Sequence, residues 1–95
     1  MAEVTVRDDP EGRRFEAYVD EQLAGFTAYE RSDGEILILH AEVDDSFEGQ
    51  GVGSSMVRQV LDLLRADAGL KVKVLCPFVN AWIRRHPDYQ DLVRR

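Results

Sequence analysis

The chain has one cysteine, two histidines and no apolar run of membrane-spanning length among its 95 residues. Cys76 cannot form an internal disulfide, which favours a reducing compartment. One thiol and two imidazoles, without ligand spacing, are too few for a structural zinc site. A membrane helix needs about 20 consecutive apolar residues, and the first residues lack the basic and apolar parts of a signal peptide. We therefore predict a cytoplasmic protein without membrane contact.

Positive charge is also scarce. Twelve lysines and arginines oppose eighteen aspartates and glutamates, which gives a formal net charge of -6. This balance gives poor electrostatic support for a nucleic-acid partner. Half of the basic residues nevertheless fall in the last quarter of the chain, at Lys71, Lys73, Arg84, Arg85, Arg94 and Arg95. An anion site near the C-terminal end is therefore compatible with the acidic total.

Length and composition predict a single globular domain over residues 1–95. A chain this short has room for one core. Its hydrophobic share of 44% and its charged share of 32% are typical of folded domains rather than disordered chains. The sequence shows no internal repeat, linker or low-complexity segment.

Alternating apolar and polar residues predict four strands in the first half of the chain, over about residues 4–6, 15–19, 23–31 and 35–43. Turn residues separate them, among them Pro10, Gly12 and the Asp33-Gly34 pair. We predict an antiparallel meander. The fourth strand is nearly continuous in apolar residues at its start, which indicates a central strand buried on both faces.

The hydrophobic period then changes to about 3.6, which predicts a helix over about residues 51–68. Gly69 is placed to end it. Residues 70–76 alternate again as a fifth strand, parallel to the fourth or splayed from it, and Pro77 opens a second helix to about residue 85. The predicted fold class is α/β (α+β): a four-stranded meander, a β-α-β unit and a C-terminal helix. The tail 88–95 stays unassigned.

The connection from the fourth strand to the first helix contains three alternating glycines. Glycine allows consecutive backbone N–H groups to face one point, and the helix start adds free donors and a positive dipole end. We therefore predict that the connection holds a phosphate, although a turn that only packs the helix on the sheet is the alternative. The Rossmann and Walker patterns do not fit it. The candidate binding residues are Val43, Glu48, Gly49, Gln50, Gly51, Val52, Gly53 and Ser54.

This connection resembles the coenzyme A loop of the GNAT superfamily of acetyl-CoA-dependent N-acetyltransferases. Their pattern is Arg or Gln, any two residues, Gly, any residue, then Gly or Ala. Gly51 and Gly53 match it, whereas Glu48 replaces the usual first residue with a carboxylate. The resemblance implies that acetyl-CoA binds between the fourth and fifth strands, with its pyrophosphate on residues 49–54. It also implies an amine acceptor, which it does not identify.

Three further segments resemble a compact GNAT-like group of about this length. They are His40-Ala41-Glu42-Val43, with Ala41 in place of the usual Thr, Cys76-Pro77-Phe78-Val79, and His86-Pro87-Asp88-Tyr89. This group lacks the two helices that superfamily members usually insert between the first two strands. Because those helices commonly shape the acceptor pocket, the resemblance does not disclose the substrate. The sequence does not indicate the oligomeric state either.

Three residues are candidates for the chemistry. Cys76 precedes a helix N-terminus, where the dipole favours a thiolate. Near a thioester it could accept the acetyl group or protonate the leaving thiolate, or it could be a buried core residue. Glu42 and His40 share one face of their strand and could remove a proton from the acceptor amine. A core histidine and an exposed carboxylate are the alternative.

The second helix offers Asn80, Arg84 and Arg85, which could reach coenzyme A phosphates or ribose, or lie on a solvated face. We expect Phe78 and Trp82 to pack this helix on the sheet, and His86 to end it. Two other functions stay open. One is a non-catalytic acyl-CoA or CoA-binding module, and the other is an interaction domain with an empty loop.

Overall fold

The computed structural model describes residues 3–94, so Met1, Ala2 and Arg95 lie outside the described residues. Its strands are β1 (Thr5–Asp9), β2 (Arg14–Val19), β3 (Gln22–Ser32), β4 (Glu35–Val43) and β5 (Lys71–Val74). They form one sheet in chain order, antiparallel from β1 to β4 and parallel between β4 and β5. The predicted meander and β-α-β unit are confirmed.

Two α-helices, α1 (Val52–Arg65) and α2 (Pro77–Arg84), accompany 3-10 helices at Asp45–Phe47 and Pro87–Arg94. Residues of both α-helices line one small void in the core together with Thr27 and Ile38 of the sheet. The two helices therefore pack on the same face of the sheet. The apolar stripe predicted for α1 is confirmed, since its members are buried: Val52, Met56, Val57, Val60, Leu61 and Leu64.

The expected burial of β4 on both faces is wrong. Ile36 and Ile38 are buried against the helices, but Leu39 is 37% exposed and His40 and Glu42 are exposed as well. The physical reason is that β1 and β2 are joined by a tight turn, closed by a bond from Arg13 N to Pro10 O, and no helix follows there to cover the outer face.

Three element ends also differ from the sequence prediction. Strand β1 continues to Asp9, beyond the predicted residue 6, because residues 7–9 pair with β2 up to the turn. Helix α1 stops at Arg65 rather than near residue 68, because the chain tightens into turns and then reverses at Gly69, whose φ is +84°. Strand β5 stops at Val74 rather than at residue 76. Its pairing with β4 ends there, and the next residue, Leu75, makes one last backbone bond of 2.9 Å to Ile38 O.

The unassigned tail forms the 3-10 helix Pro87–Arg94, which packs against β5 and α2. Tyr89 and Leu92 are buried there, so the tail belongs to the core. Among residues 3–94, no helix has the length and apolar character needed to cross a membrane.

Candidate functional site

The pairing between strands β4 and β5 ends halfway along β4. Tyr29 of β3 pairs with Ile38 and the preceding Ala28 pairs with His40, so Leu39 is an extra, bulged residue. Parallel pairing with β5 ends at Ile38. Residues 39–43 therefore have no β5 partner along their β5-facing edge, and we call the opening between this edge and the end of β5 the β4–β5 cleft. Strand β5 ends at Val74, so β4 continues past Ile38 without it, and we call residues 39–43 the diverging half of β4.

The glycine loop, residues 43–54, follows directly from the end of β4. Asp44 caps its short 3-10 helix by accepting bonds from Ser46 N at 2.9 Å and Ser46 Oγ at 2.6 Å. These two bonds lower the pKa of the Asp44 carboxyl. Beyond the 3-10 helix, Gly49 and Gly51 have φ values of +81° and +76°. The left-handed region is costly for residues with a Cβ, so both positions favour glycine.

The first turn of α1 presents unused backbone donors. Gly51 is the N-cap and has no side chain to satisfy them, and the helical bonding begins with Ser55 N to Gly51 O at 3.1 Å. The N–H groups of Val52, Gly53 and Ser54 consequently have no acceptor within the helix. Together with the positive end of the helix dipole, they form an arrangement that attracts an anion.

Carboxylates line the approach to these donors. Asp44, Asp45 and Glu48 are exposed in the glycine loop. Their charge opposes that of an incoming phosphate, although exposed charges are screened by salt over about 10 Å. Glu48 occupies the position where the resembled pattern has Arg or Gln. Residues 43–54 contain no basic side chain, so the loop offers a phosphate uncharged donors only.

Helix α2 lies against the start of α1. Phe78 is 44% exposed, so the expectation that it packs on the sheet is wrong. Its ring lies over the glycine loop: a Cβ added to Gly53 would be 3.0 Å from Phe78 Cζ and 3.4 Å from a methyl of Val43. Gly53 therefore allows close packing between the two helix starts. The expected burial of Trp82 is confirmed, since its side chain is 1% exposed.

Cys76 is the N-cap of α2, as predicted, and is 2% exposed. Its carbonyl accepts a bond from Asn80 N at 3.0 Å, and Asn80 Nδ2 donates to Val74 O at 3.0 Å. Asn80 thus ties the end of β5 to α2. Arg84 and Arg85 are exposed at the C-terminal end of α2.

Glu42 and His40 share the outer face of β4, as predicted. Glu42 Oε1 lies 3.4 Å from His40 Nε2, and the two side chains are 61% and 57% exposed. The His40 ring centroid is 6.0 Å from that of Phe26 on β3. Glu42 also borders a shallow depression of about 180 Å³ in front of the glycine loop, lined by Arg14, Leu23, Ala24, Gly25, Phe26, Glu42, Val43 and Asp44.

Some features of this site have weak sequence signals. The bulge at Leu39 is not visible in the sequence. Residues 36–39 are all apolar, so an extra residue among them does not change an alternation of apolar and polar residues. The position of Phe78 follows from the tertiary packing of two helix starts. The one local signal that Phe78 lies near the cleft is that it follows Pro77 directly at the start of α2.

A known fold matches this arrangement. Ard1 from Thermoplasma volcanium superposes with a TM-score of 0.58 at 29% identity, over 85% of this chain and 55% of that one. The chain thus matches about half the length of that protein. An aminoglycoside acetyltransferase from an uncultured soil metagenomic sample, in complex with sisomicin, gives 0.49 at 13% identity, over 81% and 55% of the two chains. That similarity is too low to carry an argument.

The family assignment rests on sequence. The family model described as GCN5-related N-acetyl-transferase matches residues 14–92. The chain therefore belongs to the GCN5-related N-acetyltransferase family, and the family resemblance found in its motifs is confirmed. A search of curated proteins found no match.

Proposed function

We propose that the protein transfers an acetyl group from acetyl-CoA to an amine. The observation that carries this proposal is the glycine loop, which places left-handed glycines and unused N–H donors beside the β4–β5 cleft. A diphosphate needs such convergent donors, and an adjoining strand edge suits an extended arm. Family membership supports the same cosubstrate.

In this proposal the pyrophosphate binds the backbone of residues 49–54, and the amide-bearing arm of coenzyme A pairs with β4 residues 39–43. Val43 and Glu48 border the site, and the side chain of Glu48 is exposed. Asn80 keeps the end of β5 in place, as its bond to Val74 O supports. Arg84 and Arg85 provide positive charge for the outer phosphate or the ribose.

The reaction requires an unprotonated amine. Its nitrogen attacks the thioester carbonyl carbon, the C–S bond breaks, and the coenzyme A thiolate leaves and takes up a proton. We assign removal of the ammonium proton to Glu42, directly or through water, with His40 as its neighbour at 3.4 Å. The depression bordered by Glu42 offers the amine a place beside this carboxylate.

Cys76 is proposed as the group nearest the leaving thiolate, because it caps α2 at the end of β5. Its burial favours the role of core residue, since a nucleophile must reach the carbonyl carbon and a proton donor must reach the leaving sulfur. Substitution to alanine separates these roles. A proton donor affects turnover, whereas a core residue affects stability.

A CoA-binding module without catalysis is the second candidate. The open outer face favours it, because β1 and β2 are joined without the helices that would enclose an acceptor. The cytoplasmic location and the lack of a nucleic-acid partner remain predictions from composition.

Turnover of acetyl-CoA with a panel of small and peptidic amines separates the two candidates, with free thiol release and the mass of the acetylated amine as readouts. The transferase should show amine-dependent release, reduced about a hundredfold in Glu42→Gln. Glu30→Gln, an exposed glutamate at the far end of the sheet, is the matched control and should match wild type. Saturable CoA binding without release on any amine would favour the module.

A further inference from the structure

The His86–Tyr89 segment, prominent in the sequence, has no part in the site described so far. Both of its rings contact Trp82. The His86 ring stacks on the indole at 3.7 Å and 12°, and Tyr89 meets it edge-on at 5.0 Å and 70°. His86 Nδ1 also lies 2.7 Å from Trp82 O. The segment therefore fixes one indole ring in place.

Tyr89 is itself anchored to α1. Its hydroxyl donates to Asp62 Oδ1 at 2.7 Å and accepts from Arg58 Nη1 at 3.2 Å. The bond to Asp62 raises the pKa of Tyr89. The Arg58 guanidinium lies 5.2 Å from the centroid of the Trp82 ring, within cation–π distance. Trp82 is thus held by the C-terminal segment and by α1 together.

The indole N–H of Trp82 is directed at the glycine loop. It donates to Ser54 Oγ at 2.8 Å. Indole nitrogen is only a donor, so the serine oxygen must accept this bond through a lone pair. The hydroxyl proton of Ser54 therefore remains available for donation to another acceptor. Ser54 belongs to the first turn of α1 and is exposed, in the same turn as the unused N–H groups.

We propose that the Ser54 hydroxyl donates an additional hydrogen bond to the bound pyrophosphate, and that Trp82 is the residue that positions it. His86 and Tyr89 act through Trp82 by holding the indole. This inference rests on the proposed function, since it takes acetyl-CoA as the ligand. It assigns the C-terminal segment to phosphate binding rather than to chemistry.

Double-mutant affinity measurements test the coupling. A hydrogen bond to a charged acceptor contributes enough for Ser54→Ala to weaken CoA binding about tenfold. Trp82→Phe keeps an aromatic ring but removes the donor, so it should weaken binding less than tenfold and add almost nothing in the Ser54→Ala background. Ser55→Ala is the matched control, because that hydroxyl accepts from Gln59 Nε2 at 3.1 Å.

The single tryptophan supplies a direct readout. The chain has one indole N–H resonance, so CoA should move it in wild type but not in Ser54→Ala. This measurement does not require Trp82→Phe to fold. Ser54→Ala removes the acceptor of the buried indole N–H, so it should lower the melting temperature by several degrees while the protein stays folded at the temperature of the titration.

The possible results differ for the two proposals. Wild-type CoA affinity in Ser54→Ala, with CoA bound at the glycine loop, would overturn the Ser54 assignment and leave the proposed function intact. An additive loss in the double variant would overturn the role of Trp82. Absence of CoA binding to the wild type at millimolar concentration would overturn both proposals.

Discussion

The two halves of β4 make different use of one strand. From Glu35 to Ile38 it is paired on both sides and contributes Ile36 and Ile38 to the core. From Leu39 onward it loses β5, exposes His40 and Glu42, and leads into the glycine loop. The change occurs at one bulged residue.

This difference separates stability from chemistry along the chain. The paired half buries apolar area, which dominates the free energy of folding. The diverging half leaves a strand edge and a helix start whose polar groups have no protein partner among the described residues, so a ligand can replace solvent there. Substitutions in the two halves should accordingly affect different measurements.

Ile38→Ala should produce the largest effect. The side chain is 1% exposed and borders the void shared by both helices, so truncation should lower the free energy of unfolding by about 2–5 kcal/mol. Leu39→Ala, one residue further and 37% exposed, should cost less than about 1 kcal/mol. Urea unfolding followed by circular dichroism measures both. Equal losses would contradict the division of the strand.

Gly51→Val should weaken CoA binding strongly, because a β-branched side chain at φ +76° is strained and blocks approach to the backbone donors. We expect affinity to fall about a hundredfold, measured by calorimetric titration. Gly34→Val provides the matched control, since Gly34 has φ +71° in the β3–β4 turn with no heavy atom within 4 Å of an added Cβ. It should lose stability but keep affinity, and loss of binding in both variants would indicate a general strain effect.

The strands and helix α1 could be predicted from the sequence because each has a local cause. Alternation identified the five strands, and the period of α1 identified its buried stripe. The positions of Gly49 and Gly51 required left-handed backbone, which the sequence expresses directly through glycine. The loop and the order of elements could therefore be predicted together.

What was missed depends on contacts between distant segments. The outer face of β4 is exposed because no other element covers it. The apolar run at residues 36–39 does not indicate whether such a covering element exists. The bond from Trp82 to Ser54 joins residues 28 positions apart. The exposure of Phe78 follows from the way α2 meets Gly53. None of these has a local pattern.

The free energy of unfolding should fall at high pH because of Tyr29, which pairs with Ile38 in the paired half of β4. Burial, and then its bond to Asp8 at 2.6 Å, raise its pKa from 10.0 to about 12. The folded state therefore retains the proton more tightly, so this stabilisation is complete below pH 10 and is lost as pH rises toward 12. Wild type should lose on the order of 2 kcal/mol more than Tyr29→Phe across that range. Denaturant unfolding measures both proteins. Equal losses of stability in wild type and Tyr29→Phe would contradict the raised pKa of Tyr29.

Thr27→Val should have the smallest effect and a stabilising sign. Thr27 is 1% exposed and its hydroxyl oxygen has no hydrogen-bond partner among the described residues, beside an apolar void. Removing an unsatisfied buried hydroxyl while keeping the volume should raise the free energy of unfolding by about 0.5–1 kcal/mol. Thr27→Ser, which keeps the hydroxyl and loses the methyl, should lower it. A loss of stability in Thr27→Val would mean that the hydroxyl is bonded in solution.

The central claim is that the diverging half of β4 and the glycine loop bind acetyl-CoA. An amide NMR titration of the labelled protein with acetyl-CoA, followed by mass spectrometry of the same sample, tests it most directly. We predict shifts concentrated at residues 39–43 and 49–54, with the β1–β2 turn unchanged and no acetyl mass added to the buried Cys76. The absence of shifts at millimolar ligand would contradict the claim and leave the family membership as a statement about fold.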